Sequence, residues 1–287
     1  MKTKKLFFSA IALTVAVSLT FTGCRKKEEK DDDTSGASDN ALAESNFNDM
    51  GQISDEASKG GMSNYKIVDY DGILSTCATL TFDTLNHIDA DSVIVDFGPT
   101  NCLCKDNRYR RGKFYIMWTA GKHYWDSLAS ITQTTSPTDN YFVNDNQVKG
   151  TRNITNNGHN AAHHMNWSIS VNGTIIKANN QGTVTWTSNR NREWITGENT
   201  PLIWSDNVFS ITGSASGTSA NGTPFTGTIT GALIKQVTCH WFSGGTFDFT
   251  PGSKPTRHVD FSPPNNGACD NIATVTINSN VFTIHLH

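Results

Sequence analysis

The 287-residue chain lacks the motifs of the common enzyme families, and it is poor in charge. It contains no GxSxG, HExxH, phosphate-loop or dinucleotide-binding motif, so the usual sequence evidence for a hydrolase or a nucleotide-binding enzyme is missing. Its net charge is −3, which gives no reason to expect a nucleic-acid partner. Beyond residue 23 no segment is as long and apolar as a transmembrane helix. These absences favour a non-catalytic protein without a cofactor.

The first 24 residues have the pattern of a bacterial lipoprotein signal. Three lysines within residues 2–5 precede an apolar run over residues 6–22, which is too short for a comfortable membrane span, and small residues precede Cys24. We expect residues 1–23 to be a signal peptide that is removed. Cys24 would then carry the lipid, including palmitate, as the only contact with the membrane. The alternative is an uncleaved N-terminal helix.

Residues 24–40 are rich in charge and are predicted to form a flexible tether, because they have little apolar surface to bury. The Lys27-Glu28-Glu29 run resembles the export signal that sends lipoproteins of Bacteroidota-type bacteria to the outer face of the outer membrane. That resemblance implies a lipid-anchored protein facing the cell surface. The alternative is a plain charged spacer within the periplasm.

Residues 41–61 are predicted to form one amphipathic helix. Asp39 or Asn40 could cap its start, and Gly60-Gly61 could end it. We expect its apolar stripe to pack on the following domain rather than to bind a partner. The stripe consists of Leu42, Phe47, Met50, Ile53 and Ala57.

Residues 62–287 are predicted to form a single antiparallel β domain, because apolar and polar residues alternate with a period of two. Asn172-Gly173 separates two such alternating runs, which favours a hairpin turn. No helical crossover segments interrupt the strands. The predicted fold class is therefore all-β, an antiparallel meander or open barrel-like curved sheet, preceded by the N-terminal helix.

Two regions of this domain, 77–118 and 239–287, resemble each other. Each contains Val-Asp-Phe with a proline two positions later, and each is preceded by a lone cysteine. The aspartates of the repeat, Asp96 and Asp260, end an apolar strand before a turn. We therefore predict that they are turn-capping acceptors rather than a catalytic carboxylate pair.

Five cysteines follow Cys24, and disulfides are the default expectation for an exported protein. The internal similarity aligns Cys104 with Cys269. It predicts the bridges Cys77–Cys104 and Cys239–Cys269, each closing a loop of roughly 30 residues and contributing about 3 to 4 kcal/mol. Cys102 would then be free, and Cys102 in place of Cys104 is the alternative.

The candidate binding residues are basic or aromatic. Arg108, Arg110 and Arg111 form a cluster beside tyrosines that could bind anionic glycans or lipid headgroups through charge and stacking. Trp125 and Trp204 lie beside aspartates in irregular segments, so we expect them to be exposed and available for sugar stacking. The alternative is that the arginines are ordinary residues on the wet face of a sheet.

His159, His163 and His164 form the densest histidine cluster in the chain. A pair of histidines four residues apart can bind zinc when the segment is helical. Here Asn157-Gly158 favours a loop instead, and no acidic residue accompanies the histidines in sequence. We therefore predict a mobile polar loop rather than a metal site.

Several short segments, together with the lipoprotein signal and the helix, form a combined pattern. They are Val95-Asp96-Phe97-Gly98, Arg110-Arg111-Gly112-Lys113, Tyr141-Phe142-Val143-Asn144, Gly150-Thr151-Arg152, Arg192-Glu193-Trp194, Ile211-Thr212-Gly213 and Cys269-Asp270-Asn271. This pattern resembles an uncharacterised family of outer-membrane and surface lipoproteins of Bacteroidota, and the likeness covers nearly the whole mature chain. The resemblance implies a location at the outer membrane or cell surface and a mature chain that forms a single unit. It implies no activity.

We therefore expect a lipid-anchored envelope protein with a non-catalytic role in surface binding or envelope structure. Its partner would be a glycan or another envelope component. The alternative is a secreted hydrolase that acts on glycans or uses a metal at the histidine cluster.

Overall fold

The computed structural model describes residues 31–60, 74, 77–83, 92–119, 122, 126–135, 140–200, 203, 205–262 and 266–286. Residues 32–287 form one compact unit. Within the described part there is one α-helix, α1 (Ser35–Gly60), and one short 3-10 turn (Ala178–Asn180). The strands are β1 (Thr79–Asp83), β2 (Ser92–Asp96), β3 (Cys102–Leu103), β4 (Tyr109–Arg111), β5 (Lys113–Trp118), β6 (Ser130–Thr134), β7 (Phe142–Val143), β8 (Asn146–His159), β9 (Met165–Ile176), β10 (Thr183–Thr196), β11 (Val208–Thr218), β12 (Pro224–Gln236), β13 (Gly244–Pro251), β14 (Arg257–Asp260), β15 (Ile272–Ile277) and β16 (Asn280–His285).

All the described strands belong to one antiparallel sheet. Its main order is β1-β2-β5-β6-β8-β9-β10-β11-β12-β13-β14-β15-β16, and the short strands β3, β4 and β7 form a side branch that joins β8. The two end strands, β1 and β16, each pair on one side, so the sheet is open rather than closed into a barrel. The predicted fold class is therefore confirmed.

Helix α1 lies against the inner face of this sheet, and strands spread over most of the sheet contact it. The predicted apolar stripe is confirmed, because each of its five side chains is at most 3% exposed. The sheet thus curves around the helix, and the core lies between the two. Contacting pairs are Asp49–Arg110 in β4, Phe47–Gly173 in β9, Asn40–Trp186 in β10 and Gly36–Phe249 in β13.

The helix begins at Ser35, six residues before the predicted start. The predicted tether is therefore wrong for residues 35–40. Asp39 is not a cap but a buried residue within the helix, where its carboxylate accepts hydrogen bonds from Lys177 Nζ at 2.7 Å and from Ala220 N–H at 2.8 Å. Asp33 accepts a hydrogen bond from Ser35 N–H at 3.0 Å and thereby satisfies a free donor of the first turn.

The acidic residues of the helix point in different directions around its axis. Asp39, Glu44 and Asp49 are spaced five residues apart, and each such step rotates a side chain by about 140°. Each carboxylate therefore meets a different part of the surrounding sheet and pairs there with a basic side chain. The ion pairs are Lys177–Asp39, Arg190–Glu44 and Arg110–Asp49.

The predicted hairpin turn at Asn172-Gly173 is wrong. Strand β9 runs straight through both residues and pairs with β8 and β10 on either side. Gly173 faces the helix, and a Cβ atom there would lie 2.0 Å from the ring of Phe47. Glycine at this position therefore makes room for a helix side chain rather than forming a turn.

The two similar regions contain equivalent turns. Asp96 accepts a hydrogen bond from Gly98 N–H at 2.8 Å, and Asp260 accepts one from Ser262 N–H at 2.9 Å. Both aspartates therefore cap turns, as predicted.

The disulfide prediction is correct for one bridge and wrong for the other. Cys239 pairs with Cys269 as predicted, whereas Cys77 pairs with Cys102 rather than with Cys104. Cys104 follows β3, is 2% exposed and lies in the interior beside Arg110. The side chain of Cys104 is directed inward, so Cys102 rather than Cys104 reaches Cys77.

Candidate functional site

The structure divides the predicted arginine cluster between the interior and the surface. Arg110 is fully buried and donates hydrogen bonds at 2.6 Å to Asp49 of the helix and at 2.6 Å to Asp106. Arg108 is 5% exposed and lies 3.4 Å from Asp49. The prediction of an exposed anion-binding patch is therefore wrong for Arg108 and Arg110, because both neutralise a helix carboxylate inside the core.

Arg111 stays at the surface, where it pairs with Asp145 and lies 3.8 Å above the ring of Phe142. Trp125 and Trp204 lie outside the described residues, so their exposure stays a prediction. The signal peptide, Cys24 and the tether up to residue 30 also lie outside the described residues.

The histidine cluster has acidic partners that the local sequence does not show. His159 Nε2 lies 2.5 Å from Glu198 Oε1, and His164 Nδ1 lies 2.7 Å from Glu193 Oε1. Glu193 lies near the end of β10, 29 residues after His164. Glu198 lies in the loop after β10, 39 residues after His159. Within the described residues, no three His, Cys, Asp or Glu side chains are arranged to hold a metal ion.

A cleft runs along one side of α1, between the helix and strands β9 to β13. It consists of two pockets, in which a water-sized molecule could occupy about 40 and 70 Å³. Asn48, Gln52 and Lys235 line both pockets, so the two are adjacent. We call these two adjacent pockets together the helix cleft.

The helix contributes a half-buried stripe to the cleft. Ala41, Ser45, Asn48, Gln52 and Asp55 are spaced by three or four residues, which places them on one face. Each is partly exposed, whereas the residues between them are mostly buried. This is therefore the side of the helix that the sheet leaves open, and its residues are small or neutral except at Asp55.

Aromatic side chains form one wall of the cleft. The rings of Trp167, Trp194 and Phe209 have centroids between 5.9 and 6.4 Å apart. The guanidinium of Arg192 lies 4.7 Å from the Trp167 ring and 4.8 Å from the Phe209 ring. Asn207 Oδ1 accepts a hydrogen bond from Trp194 Nε1 at 3.0 Å and fixes the orientation of that ring. The wall is thus a rigid cluster with a cation stacked on it.

The loop between β12 and β13 forms the opposite wall. It supplies His240, Trp241 and Phe242, and the disulfide between Cys239 and Cys269 ties it to the segment between β14 and β15. The Nε1 of Trp241 is buried and finds no acceptor among the described residues, so it is a free donor beside the cleft. Burial, together with the charge of Arg108, lowers the pKa of His240 to about 4, so this ring is neutral at neutral pH.

Lys235 lies between the two walls and is 7% exposed. Its Nζ donates hydrogen bonds to the carbonyl oxygens of His240, at 2.6 Å, and of Cys239. Among the described residues it has no carboxylate partner within ion-pair distance. Burial lowers the pKa of Lys235 to about 7 although Asp49 acts in the opposite direction.

The acidic side chains along the cleft are already paired with arginines. Burial alone would raise the pKa of Asp49, but the charges of Arg110 and Arg108 outweigh it and the pKa is lowered. These carboxylates therefore balance charge, and Asp49 is held ionised rather than protonated as a general acid would be. The pairs are Glu44–Arg190, Asp49–Arg110 and Asp55–Arg192.

The cleft could not be predicted from the sequence, although the sequence contains one feature that is related to it. Ser45, Asn48 and Gln52 recur at helical spacing opposite the apolar stripe, which marks a polar face without identifying it as a site. Trp167 shares a strand face with Ile169 and is buried, as its alternation indicates, yet it also lines the cleft.

No protein-family model matches this chain, and comparisons with curated proteins and with solved structures find no match either. None of the described helical residues forms a segment long and apolar enough to span a bilayer.

Proposed function

We propose that the chain is a lipid-anchored envelope protein that binds a glycan in the helix cleft. The observation that carries this proposal is the juxtaposition of the aromatic wall with the amides of Asn48 and Gln52. The C–H faces of a sugar ring pack on aromatic rings, and its hydroxyl groups exchange hydrogen bonds with amides. Trp241 Nε1 adds a buried donor without a partner among the described residues.

The location in this proposal rests on the N-terminal sequence. Cys24 would hold the protein at the outer membrane, in the manner of the surface lipoproteins of Bacteroidota that the chain resembles. Because Asp33 already contacts Ser35 and Lys254, residues 24–32 are the segment left for a tether, which could span at most about 30 Å. The cleft would therefore act close to the membrane surface.

Binding is favoured over hydrolysis by the state of the cleft carboxylates. Glycoside hydrolysis needs two carboxyl groups flanking the bond, one of them with a raised pKa. Here the pKa of Asp49 is lowered, and Glu44 and Asp55 are ion-paired. The hydrolase alternative therefore finds no support in this cleft.

The proposal is tested by glycan-array screening of the full chain in detergent, followed by calorimetry with each glycan that binds. Trp194→Ala and Gln52→Ala should each weaken binding about tenfold, equivalent to about 1.4 kcal/mol. Tyr109→Ala is the matched control, because Tyr109 is an aromatic residue outside the cleft and 48% exposed. Absence of any glycan ligand, or equal losses in all three variants, would contradict the proposal.

A further inference from the structure

Lys235 occupies an unusual place for a lysine. It lines both pockets of the helix cleft, and it is buried without a carboxylate partner among the described residues. Lysines are almost never buried unless they are paired, because a desolvated ammonium group is costly. The neighbouring charge of Arg108 adds to that cost, whereas Asp49 and Asp106 reduce it.

The two hydrogen bonds of Lys235 can both be made by the free amine. An ammonium group has three N–H donors, whereas a neutral amine has two and a lone pair. Two carbonyl oxygens, those of Cys239 and His240, accept hydrogen bonds from Nζ. Both protons of a neutral amine are thus satisfied, and its lone pair is left unused.

We propose that Lys235 is a reactive amine that captures small aldehydes or ketones in the helix cleft as a reversible imine. The lone pair of Nζ attacks the carbonyl carbon, and the carbonyl oxygen receives a proton that the nitrogen loses, which gives a carbinolamine. Loss of water, made of the hydroxyl group and the remaining N–H proton, forms the C=N bond. Addition of water to the imine restores the carbinolamine, which then releases the amine and the carbonyl compound. No oxidant, reductant or further reactant is needed. The inference goes beyond the proposed function, because it requires an accessible cleft but no glycan.

The charge state of the amine supports this chemistry. With its pKa lowered to about 7 by burial, about half of Lys235 is a free amine at neutral pH. An ordinary exposed lysine with a pKa near 10.4 has roughly one free amine in a few thousand. The imine nitrogen keeps at most one N–H, so capture also releases at least one of the two loop carbonyls.

The test is reductive trapping in the full chain, purified in detergent. The protein is incubated at pH 7 with glycolaldehyde and cyanoborohydride, and the modified lysines are identified by peptide mass spectrometry. We expect Lys235 to be labelled at least about tenfold faster than other lysines, since a free amine is the reactive form. The internal controls are Lys254, whose side chain is 48% exposed, and Lys177, which is 22% exposed and ion-paired.

Two further measurements test whether the fast labelling of Lys235 depends on the folded structure. In urea the advantage of Lys235 should disappear, because the unfolded side chain is solvated. Lys235→Met should leave the labelling of Lys254 and Lys177 unchanged. Labelling of Lys235 no faster than that of Lys254 at pH 7, or an advantage that persists in urea, would overturn the inference. Because glycolaldehyde replaces the glycan, failure here and failure of glycan binding are distinguishable.

Discussion

Asp49 should contribute far more to stability than a surface aspartate in an otherwise similar ion pair. Its carboxylate lies 2.6 Å from Arg110 and 3.4 Å from Arg108, and all three side chains are at most 6% exposed. Asp49→Ala leaves two buried guanidinium groups, of which Arg110 keeps Asp106 as a partner. Removing one partner of a buried ion pair costs about 3 to 5 kcal/mol, because the remaining charge stays desolvated.

The neighbouring strand residue supplies a matched control. Arg111 pairs with Asp145, and these side chains are 24% and 57% exposed. Asp145→Ala removes the same chemical group from water-accessible surroundings and should cost much less, because solvent screens an exposed ion pair. Urea unfolding at pH 7, followed by tryptophan fluorescence, measures the free energy of unfolding of both variants. A difference of less than about 1 kcal/mol between them would refute the structural role assigned to the helix carboxylate.

Two other predictions concern titration and thiol chemistry. Since the pKa of Lys235 is about 7 in the folded chain and near 10.4 when unfolded, the unfolded chain binds more protons between these values. The free energy of unfolding should therefore rise with pH, by about 2 kcal/mol from pH 7 to 9. Lys235→Met should lack this part of the rise, and an equal rise in its urea titrations would contradict the assignment. In non-reducing peptide mapping we expect the Cys77–Cys102 link, with Cys104 alkylated only after unfolding, because burial raises the pKa of its thiol and shields it. A Cys77–Cys104 peptide would count against the structure.

The fold class follows from the sequence because the two hydrophobic periods are clear. A period of two predicts the strands, and the stripe from Leu42 to Ala57 predicts the helix and its buried face. Asn172-Gly173 misleads because the same dipeptide serves a hairpin turn or a glycine beneath a packed ring. Only the position of Phe47, which is more than a hundred residues away, distinguishes the two cases.

The site could be predicted only in part. Contacts between distant segments decide which of its charged side chains face inward and which face the surface. Strand alternation places Arg108 and Arg110 on one face of the chain and Tyr109 and Arg111 on the other. Nothing local indicates which face is the inner one. The carboxylate of Asp49, about 60 residues earlier, decides it, because it provides charge inside the sheet that an arginine can balance.

The arrangement of charge around α1 also constrains the ligand. Four acidic residues of the helix are paired with basic side chains, which leaves serine and amide side chains on most of its open stripe. They are Asp39, Glu44, Asp49 and Asp55. On the loop wall, His240 is uncharged at neutral pH, and between the walls about half of the Lys235 side chains are uncharged. Because a charged ligand would find few unpaired opposite charges among the described residues, desolvating it in the cleft would be unfavourable. The cleft therefore suits a neutral polyhydroxyl or carbonyl compound better than an anionic headgroup.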